Sequence, residues 1–109
     1  MTYDKNLATE VRAALGEQEG LSERKMFGGV GFMLYGNMCS GTQKSDLILR
    51  LGLDKGAEAL RDPRMKPFNT TRRPMKGWTV IGADALEDEA ELSHWVQQSA
   101  DFALTLSPK

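Results

Sequence analysis

The chain has 109 residues, 40% hydrophobic and 27% charged, which is enough for one core without staples and lies in the ordinary globular range. A net charge of −1 gives no global attraction to nucleic acid or acidic membranes. A lone cysteine, Cys39, excludes an internal disulfide, and with a single histidine it excludes a Cys/His zinc cluster within one chain.

The first residues, Met-Thr-Tyr-Asp-Lys-Asn, lack the apolar centre of a signal peptide, and no run of about 18 apolar residues exists to cross a membrane. A cytoplasmic protein without membrane association is expected. Asp4 to Leu15 reads as a helix, because Leu7, Val11 and Leu15 recur at four-residue spacing with Ala8 and Ala14 beside them. Thr2 or Asp4 can cap its start, and Gly16 then Gly20 end it.

Ser22 to Phe27 leads into a sheet, with Gly28-Gly29 bending or bulging the backbone. Val30, Phe32 and Leu34 then alternate with Gly31, Met33 and Tyr35. Gly36-Asn37 predicts a type II′ hairpin, which sets Tyr35 opposite Met38, Leu34 opposite Cys39 and Met33 opposite Ser40. Cys39 thereby shares a face with Phe32 and Leu34 and reads as a buried structural thiol. The other face carries Met33, Tyr35 and Met38, also apolar, and is a candidate dimer face.

After a polar loop at Thr42–Ser45, Asp46 to Leu51 predicts a strand with Leu47, Leu49 and Leu51 on one face and Asp46, Ile48 and Arg50 on the other. Asp54 is the expected N-cap of a short helix through Leu60 that turns Ala57 and Leu60 inward, stopped by Asp62-Pro63. Arg64 to Lys76 reads as an irregular basic segment, and Gly77 to Ile81 as a strand with Trp78 and Val80 on one face. The last helix begins at Asp88, with Glu91 three residues on as in a capping box. Leu92, Trp95, Val96, Ser99 and Phe102 follow at helical spacing, and His94 stands off that stripe.

Charge is distributed unevenly. Arg61, Arg64, Lys66, Arg72, Arg73 and Lys76 face one acid, Asp62, whereas Asp84, Glu87, Asp88, Glu89, Glu91 and Asp101 face only Lys109. A basic segment therefore precedes an acidic helix, and the two can neutralise each other in part. Arg64, Lys66, Arg72, Arg73 and Lys76 are the candidate contacts for nucleic acid or an acidic partner, with Phe68 or Trp78 available for stacking. No recognition helix or zinc finger accompanies them, so nucleic acid is not the favoured partner.

No catalytic constellation is visible. Gly28-Gly29-Val30-Gly31 lacks the Gly-Lys-Ser/Thr ending of a phosphate-binding loop. Leu34 stands where a dinucleotide fingerprint needs glycine or alanine. Cys39 points to the core while His94 lies on the outside of the last helix, and Asp88, Glu89 and Glu91 crowd one helical turn rather than facing across a cleft. No catalytic residue, cofactor or metal is implied.

The stretch Arg24-Lys25-Met26-Phe27-Gly28-Gly29-Val30-Gly31-Phe32 resembles the glycine-rich signature of the TfoX/Sxy family N-terminal domain. Thr71-Arg72-Arg73-Pro74-Met75-Lys76-Gly77-Trp78 resembles that family's second signature, and the closing helix with Leu92, Trp95 and Phe102 its end. The resemblance covers nearly the whole chain and implies an α+β domain with a curved antiparallel sheet flanked by helices. The family's eponymous members are positive regulators of genes for natural DNA uptake in bacteria and carry a second, C-terminal domain, whereas this sequence stops at Lys109.

The expected fold is therefore one α+β domain over residues 1–109: a single antiparallel sheet of four or five strands flanked by an N-terminal helix, a short middle helix and a C-terminal helix. The expected function is that of a non-enzymatic regulator or adaptor acting through protein contacts, as a homodimer or with another protein, linked to control of competence or transcription. The alternative is a weak nucleic-acid binder using the 61–76 segment.

Overall fold

A computed structural model describes residues 5–26, 29–43, 45–70 and 73–108 and, of residues 5, 6, 26, 69, 70 and 73–75, the backbone alone. The helix cap expected at Thr2 or Asp4 lies outside these residues, as do Phe27, Gly28 and Arg72. The elements in order are α1 (Lys5–Leu15), β1 (Leu21–Met26), β2 (Gly29–Leu34), β3 (Asn37–Gln43), β4 (Asp46–Arg50), α2 (Leu53–Ala59), β5 (Met65–Thr70), β6 (Arg73–Gly82) and α3 (Glu89–Leu104). The strands form one antiparallel sheet in the order β1-β2-β3-β4-β6-β5, so the fold is α+β. No described helix is long and apolar enough to cross a membrane.

The sheet has six strands rather than four or five. The addition comes from the basic segment, which forms strand β5 and the first half of β6 instead of an irregular stretch. Its prolines and lack of apolar alternation hide a strand from pattern reading. Pro67 is tolerated because β5 is an edge strand, where a missing N–H interrupts no second ladder.

The hairpin between β2 and β3 also departs from expectation. Tyr35 (φ 52°) and Gly36 (φ 84°) both adopt left-handed backbone, so they are the central pair of a type I′ turn, not Gly36-Asn37 of a type II′ turn. Leu34 therefore faces Asn37 and Met33 faces Met38, and a bulge then sets Phe32 opposite Ser40. That bulge keeps Cys39 on the core side despite the changed register: its Sγ donates to the Phe32 carbonyl at 3.3 Å and lies 3.8 Å from Ser40 Oγ. Tyr35 tolerates φ > 0 while its N–H donates to the Gly20 carbonyl at 2.9 Å. Its ring covers Gly20, where a Cβ would sit 2.6 Å from the ring.

The core lies between one sheet face and the helices. Leu7, Ala8, Val11 and Leu15 of α1, Ala59 of α2, and Leu92, Val96, Ala100 and Ala103 of α3 pack on Val30, Phe32, Leu34, Leu47, Leu49 and Ile81. The closing helix behaves as its pattern predicts: Asp88 is the N-cap, its carboxylate accepting from Glu91 N–H at 2.9 Å, and the Glu91 carboxylate accepts from Glu87 N–H at 2.8 Å.

Helix α2 is rotated relative to the sequence reading. Gly52 (φ 89°), not Asp54, is its N-cap, and Gly56 and Ala59 are its buried residues while Ala57 and Leu60 are exposed. The cause is a backbone contact: a Cβ on Gly56 would lie 3.0 Å from Gly77 Cα. Gly77 (φ 87°) also accepts hydrogen bonds from Leu51 N–H at 2.8 Å and Gly52 N–H at 3.1 Å. The glycine face must meet β6, so the leucines turn outward.

Candidate functional site

Strand alternation sends every second residue to the sheet face opposite the helices. Register fixes which ones: Met33 pairs with Met38, Gly31 with Gly41, Gly41 with Ile48, Ile48 with Val80, and Arg50 with Trp78. Ile48 is only 1% exposed, yet it is not part of the core cluster beneath the helices. It is buried on the outer face. The Met38 terminal methyl lies over Gly41, where a Cβ would come within 2.7 Å of it. Met33, Met38, Val80 and Trp78 are half-buried around Ile48. The outer face thus carries an apolar stripe across β2, β3, β4 and β6, with small Gly31 and Gly41 in its floor.

Cations border this stripe. On the outer-facing register positions stand Arg24 of β1, Arg50 of β4 and Lys66 of β5, with Asp46 the acid among them. The Arg50 guanidinium lies 5.3 Å from the Trp78 ring centroid and 5.7 Å from that of Phe102, and Phe68 sits 5.9 Å from Trp78 in a tilted pair. Trp78 therefore already has two neighbours over its π-system.

The basic residues singled out from sequence separate into different roles. Arg64 turns inward and donates to both carboxylate oxygens of Asp62, to both of Glu91 and to the Ala85 carbonyl, at 2.7 to 3.1 Å. It clasps the α2–β5 turn to the start of α3 and joins the basic segment to the acidic helix. The guanidinium holds the Asp62 and Glu91 carboxyls down to about 2, and the two carboxylates hold Arg64 protonated throughout the accessible pH range. Lys66 and Lys76 are exposed. Arg72 lies outside the described residues, and of Arg73 only the backbone is described, as the first residue of β6. Of the candidate dimer face, Met33 and Met38 pair on the outer side, while Tyr35 sits in the turn against Gly20.

Other features are structural. Burial pushes the Cys39 thiol up and keeps it neutral. A concavity of about 240 Å³ between α2 and α3 includes Lys55, Glu58, Asp62 and His94, but Lys55 donates to Gln98 at 2.8 Å and Asp62 is held by Arg64. Among the described residues no His, Cys, Asp or Glu group is placed to hold a metal.

The family model of the TfoX N-terminal domain matches residues 13–103. The chain belongs to this family. No curated protein matches it. In this TfoX N-terminal domain, the described part of the first signature is β1 and β2. There Gly29 passes so close to β3 that a Cβ would lie 1.7 Å from the Thr42 carbonyl oxygen, which explains the glycine geometrically. The second signature ends in Gly77-Trp78, where Gly77 anchors α2 and Trp78 reaches the outer face. Sequence reading placed Ile48 on the face opposite Leu47, Leu49 and Leu51, and Trp78 with Val80 on one face, without joining these residues to Met33 and Met38. The strand order that does so is a long-range property.

Proposed function

We propose that this TfoX N-terminal domain is a non-enzymatic regulatory or adaptor module that docks another protein on the uncovered face of its sheet. A second copy of the chain is the first occupant to test. The observation that carries this reading is the one-sided sheet: all three helices pack on one face, while the other holds a buried isoleucine amid Met33, Met38, Val80 and Trp78. A stripe of unbranched methionines around a buried centre is adaptable and suits a protein surface. Family membership supports a regulatory setting, including control of competence genes.

Sedimentation velocity over rising concentration tests this. The expected result is a concentration-dependent dimer, lost in the Met33→Lys/Met38→Lys variant with little change in thermal unfolding. A monomer up to high micromolar concentration would count against the homodimer.

A second reading, direct binding of nucleic acid, is favoured by Arg24, Arg50 and Lys66 on the same face. It requires salt-sensitive anisotropy of a labelled single-stranded oligonucleotide that Lys66→Ala with Arg24→Ala weakens.

A further inference from the structure

Helix α2 presents its amphipathic faces in reverse. Leu53, Ala57 and Leu60, at i, i+4 and i+7, form the kind of apolar stripe that normally faces a core, yet Leu53 is 68% and Leu60 41% exposed. Gly56 and Ala59 are buried instead, because the approach to Gly77 admits no side chain between helix and strand. The outward stripe, with Pro67, Trp78 and Lys76, lines a groove of about 230 Å³. Since a cavity of about 150 Å³ accepts benzene, this groove accommodates one or two large aliphatic side chains.

The groove's lining carries one charge, that of Lys76, and no acid. Around it Arg61 and Lys66 adjoin the lining residues Leu60 and Pro67, and Asp54 adjoins Leu53. The nearby acid Glu58 lines the concavity on the α3 side of the helix instead. A complementary ligand is thus apolar with a carboxylate beside its anchor. The lining is mainly aliphatic, and the Trp78 ring already has Arg50 and Phe68 over it, so little remains for a nucleobase to stack on. A two-fold copy would set this groove against an identical one whose lining holds no acid to pair with Lys76.

We propose that the groove between α2 and strands β5 and β6 is a docking site for an acidic amphipathic segment of a partner protein, with a leucine-type side chain in the groove and a carboxylate on Lys76. This rests on the adaptor reading and gives it a partner chemistry. Helix-in-groove recognition by spaced apolar anchors is the matching mode.

The test is an amide-shift titration of the ¹⁵N-labelled full chain with a 16-residue helical peptide carrying leucines at i, i+3, i+4 and i+7 and glutamates elsewhere. A second peptide replaces every glutamate by lysine. The glutamate peptide is expected to shift amides of residues 53–60 and 76–78 and to bind at least about tenfold more tightly than the lysine peptide, about 1.4 kcal/mol. The preference should shrink with salt and invert in Lys76→Glu. Leu53→Ser should weaken binding about tenfold with thermal unfolding unchanged. Equal binding of both peptides, or a preference that Lys76→Glu leaves unchanged, would overturn the proposal. So would a sixteen-base oligo-dT that shifts the same amides more strongly. Shifts at Met33, Met38 and Val80 with a silent groove would remove the groove and leave the sheet-face reading standing. No response anywhere would count against both.

Discussion

The two faces of the sheet are both apolar, yet they differ in how the apolar groups are held. On the covered face Phe32, Leu34, Leu47, Leu49 and Ile81 are sealed under three helices. On the outer face Ile48 is the described apolar side chain that reaches comparable burial, and methionines, glycines and a cation-capped tryptophan surround it. One face specifies the fold by packing. The other keeps an apolar surface with basic borders that no helix covers, and this is the surface on which the proposed docking rests.

Truncations should separate the faces by size of effect. Phe32→Ala removes a fully buried ring beneath the helices and should lower unfolding free energy by about 3–5 kcal/mol in urea titration. Gly56→Val should come next. Its Cβ alone meets Gly77 backbone at 3.0 Å, so overpacking costs about 1–3 kcal/mol and displaces α2, seen as amide shifts along residues 73–82. Met38→Ala, on the outer face, should cost only about 1 kcal/mol. An outer-face loss equal to that of Phe32 would mean that the stripe is a second core and not a free surface.

The Arg64 clasp sharpens the comparison from the covered side. Asp62 and Glu91 are depressed from ordinary values of 3.8 and 4.5 to about 2. Depressed carboxyls contribute stability that is present above their unfolded values and lost as pH falls through the folded ones. Thermal midpoints should therefore fall as pH drops from about 4.5 toward 2, and Arg64→Ala should flatten that slope while lowering the midpoint at pH 7. The side chains keep a quarter or so of their exposure, so solvent screening makes the effect smaller than for a buried triad. Smallest in stability terms is Cys39: its buried, raised thiol should react with a disulfide reagent far more slowly in the folded chain than in urea.

How much of this was legible in the sequence depends on the range of the interaction. Periodicity placed Leu7, Val11 and Leu15 of α1 and Leu92 and Val96 of α3 correctly, because each helix buries its own stripe. Alternation placed Leu47 and Leu49 against Ile48. What pattern could not supply was non-local. The rotation of α2 is set by a glycine-to-glycine contact across 21 residues, from Gly56 to Gly77, which overrides the helix's own amphipathicity. The hairpin slipped because Tyr35, a residue disfavoured at positive φ, takes a position that Gly20 and its carbonyl stabilise. The candidate face was therefore half visible: Met33 and Met38 from the hairpin, but Ile48, Val80 and Trp78 only once β4 and β6 are neighbours. Arg64 was read as a candidate contact for nucleic acid or an acidic partner, in a segment that the acidic helix can partly neutralise; which acid it meets was not legible, because its ion pair to Glu91 spans 27 residues.

The most direct test of the outer face is the solvent accessibility of its methionine methyls, read by ¹³C-methyl NMR with a soluble paramagnetic agent at low and high protein concentration. The account predicts strong broadening of Met33 and Met38 at low concentration and their protection when the chain self-associates or its partner is added, with Met65 in the covered core shielded throughout. Met33 and Met38 that stay equally accessible in every associated state would contradict it.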